Sequence, residues 1–458
     1  MKKYHSTLSR RDFLKALGLG GVGAGLSTML PGVEVPRVND LDDVMASPLA
    51  QHKRASWVKE VDKPTAEVDW NTLQRFDCGE IMFGRGFIKA MGQDGADCAT
   101  KAGQANSKLW IKNNKPGFTL RDYALNQSSS PYAFVPHSYL GYKRAPTPDM
   151  LGVPRWEGTP EENTRMIRSV MRLYGADEVA VVEIDDKIEK LFYTFDGDGK
   201  KLNFEDVDEA DEGEDYRTIP KKVRYVIVYT VIMSYEMVRR LPAWNAGPTV
   251  YLAYALGPFL QDRVQDFIRT LGYTCLGEAR PNALATSVGL GVMGGLGEMC
   301  RIEHLITPGR GLSHRVFKLM TDLPLVPTKP INTGVMEFCK TCKKCAEACP
   351  AQAIPSSTEP SWNVPGPYKN PGVKGWFRLE PRCYSYWRET STGCGYCLAV
   401  CPLNRPKTSS YFNTMRSTIA KTSVLNRTFR RMDDMLGWGA RSDYENFWEM
   451  EMPVYGWD

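Results

Sequence analysis

Cys339–Pro350 reads CKTCKKCAEACP, and Cys394–Pro402 reads CGYCLAVCP. The first stretch places Cys339, Cys342, Cys345 and Cys349 with two, two and three residues between them, directly before a proline. This is the bacterial ferredoxin spacing. Short C-x-x-C turns set three thiolates around one four-iron cube, and the cysteine before the proline crosses to the other cube. The second stretch supplies Cys394, Cys397 and Cys401. Cys383 stands upstream, ten residues intervening, in place of a close first ligand. The spacing predicts one [4Fe–4S] cluster on Cys339, Cys342, Cys345 and Cys401, and a second on Cys349, Cys383, Cys394 and Cys397. Zinc ribbons use pairs of C-x-x-C rather than two C-x-x-C-x-x-x-C-P runs, and disulfides need no such pattern. Cys78, Cys98, Cys275 and Cys300 are left over, and most of them read as small apolar interior residues. Two clusters in series make a wire, and residues 47–338 are the larger body it has to serve.

Working outward, the first thirty residues read as an address. Ser9-Arg10-Arg11-Asp12-Phe13-Leu14-Lys15 is a twin-arginine export signature, with Lys2 and Lys3 before it. Ala16–Leu30 then runs fifteen residues without a charge and with five glycines. That is too short for a spanning helix, which needs about 20 apolar residues, and it reads as a signal h-region. Cleavage is expected between Pro31 and Ala50, near Ala46. Twin-arginine export carries folded proteins, which suits a chain that acquires a fragile cofactor before it leaves the cytoplasm.

Composition sets outer bounds. The 458 residues are 42% hydrophobic and 24% charged, which is ordinary globular material and excludes a disordered or collagen-like chain. The aromatics (11 Trp, 21 Tyr, 17 Phe) suit an apolar pocket. The net charge of +5 is small and spread out. A nucleic-acid footprint would need a basic stripe, and none is visible.

Between the address and the cysteines, residues 51–160 read as loops and short helices wrapping a core. Glu161–Tyr174 is predicted helical, with Met166, Val170 and Leu173 on one face. Glu178–Ile184 and Val223–Met233 read as strands, the second buried. Asp196–Asp215 is acidic and reads as a solvated loop, with a calcium site as the sharper alternative. Pro248–Leu271 reads as a helix kinked at Gly257-Pro258 and capped by Gly272. Ala285–Gly297 is glycine-rich but lacks the features of a phosphate loop or a dinucleotide fold. It reads as close backbone approach to a large flat ligand. Pro355–Gly375 is an insert between the two cysteine sets, and residues 403–458 read as a tail packed back on the body.

A twin-arginine leader, a long body and a ferredoxin pair with a stretched second motif together resemble the respiratory corrinoid reductive dehalogenases. The likeness runs along essentially the whole chain. It is strongest at Ser9–Lys15, Cys339–Pro350 and Cys383–Pro402, and extends to Ile268–Tyr273, Gly295–Glu298, Ile306–Pro308 and Thr321–Leu325. It implies an α+β or α/β fold: a nitroreductase-like cobalamin-binding core followed by a bacterial two-[4Fe–4S] ferredoxin-like domain. The expected organisation is a signal peptide over 1–46, a wrapping region over 47–160, a corrinoid and substrate core over 161–330, a ferredoxin-like domain over 331–410 and a C-terminal tail over 411–458. Cobalamin would be bound base-off, and no D-x-H-x-x-G motif is present to offer cobalt a histidine. Corrinoid contacts are implied at Gly295, Gly297, Glu298 and Thr307.

The resemblance also implies a proton-donating tyrosine with a basic residue beside it. It places these at Tyr254 and Arg315, and an adjacent polar position at Asn282, with Tyr251 and Arg280 as the alternatives. A tyrosine near pKa 10 can protonate a carbanion-like carbon, and a guanidinium stabilises the tyrosinate left behind. From the residues alone, Tyr254 is equally a core aromatic on an apolar helix face, and Arg315 a surface or propionamide-binding arginine. His137, His304 and His314 are given no metal role. The implied function is anaerobic organohalide respiration. An external donor reduces the outer and then the inner cluster, cobalt is reduced to Co(I), and the halogen of a chlorinated alkene or aromatic is removed. A small membrane anchor protein and a respiratory donor chain are the implied partners, with the enzyme peripheral on the outer face of the cytoplasmic membrane. The alternatives are an epoxyqueuosine reductase-like enzyme and an exported electron-transfer subunit with no catalysis of its own.

Overall fold

The computed structural model describes residues 54–405 and 410–457. The export signature lies outside them.

The order of elements along the chain builds one sheet and covers both its faces. Helix α1 (Arg85–Lys112) comes first, and Gly92 inside it takes a φ of 71°. Helix α2 (Pro160–Leu173) starts at Thr159, whose hydroxyl and the Glu162 carboxylate form a reciprocal capping box. Then come β1 (Val179–Glu183), β2 (Lys201–Glu205), β3 (Asp211–Glu212), β4 (Tyr216–Pro220) and β5 (Tyr225–Ile232). Helix α3 (Pro248–Thr270), β6 (Cys275–Leu276), α4 (Ser287–Met293), β7 (Glu298–Met299), β8 (Leu305–Ile306) and β9 (His314–Thr321) complete the body. The cysteine region carries α5 (Val335–Cys342), α6 (Glu380–Thr390) and α7 (Tyr396–Ala399), and the tail carries α8 (Ser410–Ile419) and α9 (Asn426–Met435).

The central sheet has the order β1-β5-β9-β6, antiparallel throughout, so the fold is α+β. Successive residues of a strand face opposite sides, and the two cores follow that alternation. Val179, Val181, Ile227, Tyr229, Val231, Phe317 and Leu319 pack with Ile167 and Met171 of α2 and Leu260, Val264 and Ile268 of α3. Ala180, Val182, Val226, Val228 and Met320 pack with Leu290 and Val292 of α4. Because both faces are covered, β1 and β5 are apolar runs rather than alternating ones.

Two expectations change. The buried face of α2 is Asn163, Thr164, Ile167 and Met171, while Leu173 is 81% exposed. Asn163 and Thr164 turn inward because they bond the segment beyond the sheet, Asn163 Nδ2 to Pro324 O and Val326 N to Thr164 Oγ1. The acidic stretch 196–215 is not a loose loop. It runs into the three-stranded sheet β2-β4-β3, and buried Arg217 gathers Asp196, Asp198 and Glu212 around it. Among the described residues no group of three His, Cys, Asp or Glu stands ready for a single metal ion. Helix α3 runs unbroken through Gly257-Pro258. A side chain at Gly257 would overlap the Phe317 ring. Its end is the predicted glycine cap: Gly272 has a φ of 91°, with Gly272 N on Arg269 O and Tyr273 N on Ile268 O, the two bonds of a Schellman turn.

The glycine-rich stretch makes close approaches within the chain. A Cβ at Gly291 would press on Leu305, at Gly294 on Ala180 and Val182, and at Gly297 on the Ile306 carbonyl. These glycines let α4 and β7 lie against the sheet and β8. Gly295, at a φ of 71°, makes the turn between them. The Glu298 carboxylate is buried and taken up by Thr65 Oγ1 and by the amide and hydroxyl of Thr333. Thr307 Oγ1 accepts from Arg310 N. Gly297 is thus a close-packed position, and Glu298 and Thr307 make bonds within the chain.

The N-terminal part wraps the body: Lys59–Glu60 pairs with Ile331–Asn332, and Val68 bridges to Val373. The tail returns to it through Arg441 N on Arg239 O and Trp448 Nε1 on Asp122. No helix among the described residues is long and apolar enough to cross a membrane.

Candidate active site

Tyr254 sits on α3 and Arg315 on β9, and the fold brings them together. The Arg315 guanidinium carbon stands 5.2 Å from the centre of the Tyr254 ring. Phe317, two residues along β9 and so on the same face, meets that ring edge-on at 6.0 Å, and Phe134 lies 5.1 Å from it. Tyr251, the alternative donor one turn away, packs on the other side of Phe134 at 6.1 Å. Burial raises its pKa. Arg315 spends one guanidinium bond on the His314 carbonyl, and its Nε is buried without a partner. An aromatic hydroxyl, a fixed cation and apolar walls are therefore side by side.

Asn282 belongs to a different network. It is held at a φ of 64°, and its Oδ1 accepts from Ser287 Oγ at 2.7 Å. Ser287 is in turn held by Lys318 Nζ at 3.0 Å, and Lys318 is ion-paired with buried Glu278. Lys318 alternates with Arg315 and Phe317 along β9 and faces the α4 side of the sheet. The structure joins Tyr254 to Arg315, and ties Asn282 to Ser287 and Lys318. Arg280 is paired with Asp198 in the acidic cluster.

His304 and His314 flank this region. Burial, reinforced by Arg315, pushes both pKa values down to about 3, with Arg378 also acting on His304. Burial also lowers His137. These rings are neutral at ordinary pH.

The cysteines form two groups. Cys339, Cys342, Cys345 and Cys401 line one cavity, together with Cys300, Cys397 and Arg301. Cys349 lies close enough to Cys383, Cys394 and Cys397 to act on the thiol of each, and Cys383 likewise acts on Cys394 and Cys397. The turns need unusual backbone. Lys343 after Cys342, Cys394 and Gly395 all take positive φ, at 57°, 47° and 87°, which lets short loops fold their sulfurs inward. Burial pushes the thiols of Cys339, Cys342, Cys345, Cys383, Cys394, Cys397 and Cys401 up, Cys394 to about 12. Packing alone therefore leaves them protonated, and a cationic centre is what converts such thiols into thiolates. The donor sets fit two four-iron clusters.

Sequence reasoning missed Cys300 at this wall, because its partners lie far along the chain. Burial pushes its thiol to about 12. It also missed Arg301, whose guanidinium lies 4.4 Å over the Trp376 ring.

Residues 53–325 match the reductive dehalogenase subunit family, and residues 338–404 match the 4Fe-4S double cluster binding domain. The chain belongs to the reductive dehalogenase family. It is 27% identical to the trichloroethene reductive dehalogenase of Dehalococcoides mccartyi over 99% of both chains. It is 32% identical to the tetrachloroethene reductive dehalogenase of Sulfurospirillum multivorans over 65% of this chain and 61% of that one. The fold matches the solved catabolic reductive dehalogenase NpRdhA at a TM-score of 0.62 and 22% identity, over 89% of this chain and 53% of that one. The chain thus spans about half the length of that solved dehalogenase.

Proposed function

We propose that this chain replaces a halogen on carbon by hydrogen, with two electrons and one proton consumed and halide released. The substrate class is a small organohalide, with chlorinated ethenes first because the full-length relatives are named for them. The observation that carries the reading is the placement of Tyr254, faced by Arg315, in the same core as Cys339, Cys342, Cys345, Cys349, Cys397 and Cys401.

Cys339, Cys342, Cys345 and Cys401 would hold one cluster, and Cys349, Cys383, Cys394 and Cys397 the other, so the chain itself lays the electron path. A corrinoid bound base-off in the body would supply the low-valent metal that breaks the carbon–halogen bond. The unpartnered Nε of Arg315 suits a polar, amide-bearing ligand. Tyr254 delivers the proton from its hydroxyl oxygen to carbon. Arg315, a fixed cation, stabilises the tyrosinate that remains. Phe134 and Phe317 pack against the Tyr254 ring and hold it in place. Asn282, fixed by Ser287, is a further polar contact. The twin-arginine signature supports action on the outer face of the cytoplasmic membrane, with a small membrane anchor protein and a respiratory donor.

The test is anaerobic incubation of purified holoprotein with a reduced viologen and trichloroethene or tetrachloroethene. Chloride release with viologen oxidation is expected. Holoprotein that carries iron and cobalt yet releases no halide from chlorinated ethenes, ethanes or aromatics overturns the proposal.

A further inference from the structure

The two cysteine groups sit in different charge surroundings. Around Cys339, Cys342, Cys345 and Cys401 the buried cations outnumber the acids. Arg301 is 1% exposed and has no carboxylate partner among the described residues. Its guanidinium donates only to carbonyls, to Cys339 O at 2.7 Å and to Pro355 O and Ser357 O at 2.8 Å. The acidic neighbours that act on it are the thiols of Cys339, Cys345, Cys342 and Cys300. Arg416 is 4% exposed and also without a carboxylate. It donates to Leu403 O and Arg405 O, its Nη1 is buried with no partner, and Cys401 is among its neighbours. Arg405 and Lys344 share Asp433, and Lys344 also reaches Asp434. Four cations are answered by two aspartates.

Around Cys349, Cys383, Cys394 and Cys397 the charges cancel. Arg378 is paired with Glu380 at 3.1 Å, and Lys369 with Glu380 at 2.6 Å and Glu303 at 2.8 Å. A buried charge without a counter-ion costs several kcal/mol. Arg301 and Arg416 would carry that cost unless an anion stood beside them, and a thiolate-ligated cluster is one. Reduction adds a negative charge, so an uncompensated buried cation favours the reduced state.

We infer that Arg301, seconded by Arg416, raises the reduction potential of the cluster held by Cys339, Cys342, Cys345 and Cys401 above that of its neighbour. This rests on the two-cluster reading above. In each transfer one electron leaves the cluster of Cys349, Cys383, Cys394 and Cys397, which is oxidised. It reduces the cluster beside Arg301, and no proton moves. The electron comes from the external low-potential donor. Arg301 and Arg416 are positioning residues, since they act on a potential and touch no substrate.

The experiment is a potentiometric titration of anaerobic holoprotein followed by electron paramagnetic resonance. Two midpoints are expected in wild type. Arg301→Gln keeps donors to the carbonyls and drops the charge, and should shift the higher midpoint to more negative potential while the lower stays put. Arg301→Lys should restore most of the difference. Glu380→Gln uncovers Arg378 and should shift the lower midpoint upward, closing the gap from the other side. Should Arg301→Gln lose iron, Arg416→Gln carries the same test with the same expected sign. Intact clusters whose midpoints ignore these changes, or that move together, overturn the inference alone. Wild-type protein without two reducible clusters overturns the reading beneath it.

Discussion

At the scale of single residues the tyrosine is the sharpest case. The Tyr254 ring is held by Phe134 and Phe317 and faced by Arg315, so deleting its hydroxyl leaves the packing in place. Tyr254→Phe should retain iron, corrinoid and melting temperature while halide release falls by about 10²–10⁴-fold, the range of a lost general acid. Turnover within threefold of wild type would remove the tyrosine from the reaction. His314 gives a pH prediction of definite sign. It is 5% exposed, and its folded pKa of about 3 lies below the unfolded value near 6.5. The folded ring stays neutral while the unfolded chain takes up a proton. Its contribution to stability is therefore complete above pH 6.5 and is lost, at about 1.4 kcal/mol per pH unit, as pH falls toward 3. His314→Gln should show a shallower loss of urea midpoint between pH 6.5 and 4 than wild type. Equal slopes would count against it. The neighbourhood of Tyr254 and Arg315 was expected only through the resemblance, by matching along the helix that ends at Tyr273. The bond network around Asn282 was not, since Ser287 and Lys318 reach it through the fold.

At the scale of elements, α1 and α6 meet along a seam of small residues. Ala96, Ala99 and Gly103 of α1 are buried there, and a side chain at Gly103 would overlap the Arg388 carbonyl of α6. Helix α6 also carries Cys383, the ligand displaced from the usual ferredoxin position. The stretched motif is thus a helix docked against the N-terminal wrap, which holds its cysteine at the second group. Cys383→Ala should lower iron content by up to half. Gly103→Leu, which touches no ligand, should do the same by levering α6 away. Full iron in the Gly103 variant would show that α6 is positioned by something else. Periodicity located α2 to within a residue at each end yet chose the wrong face. Hydropathy favours Leu173, but inward hydrogen bonds from Asn163 and Thr164 fix the rotation. The acidic stretch misled in the same way. Its charges read as solvated because nothing local shows that Arg217 is buried among them.

At the scale of the molecule, the cysteine spacing was decisive for the fold because it is a local code. The antiparallel sheet was legible only as separate strands, since strand order is set by pairing over long separations. One consequence of that pairing bears on stability. The core on the α3 side of the sheet is continuous with the cluster region. It runs from Ile227 and Leu319 through Ile306 and Leu312 to Phe338, Leu398, Leu403 and Met415. A ferredoxin module that folded by itself would leave a gap at that point. Metal binding contributes directly to folding free energy where the site forms only in the folded state. Iron bound by α5, α6 and α7 should therefore stabilise the sheet as well as the loops around it. Partial removal of iron by an anaerobic chelator should then move one calorimetric transition of the purified enzyme downward as a whole, with loss of iron tracking loss of the sheet signal in circular dichroism. An early transition for the cysteine region, followed by an unshifted one for the body, would mean that the shared core does not couple them.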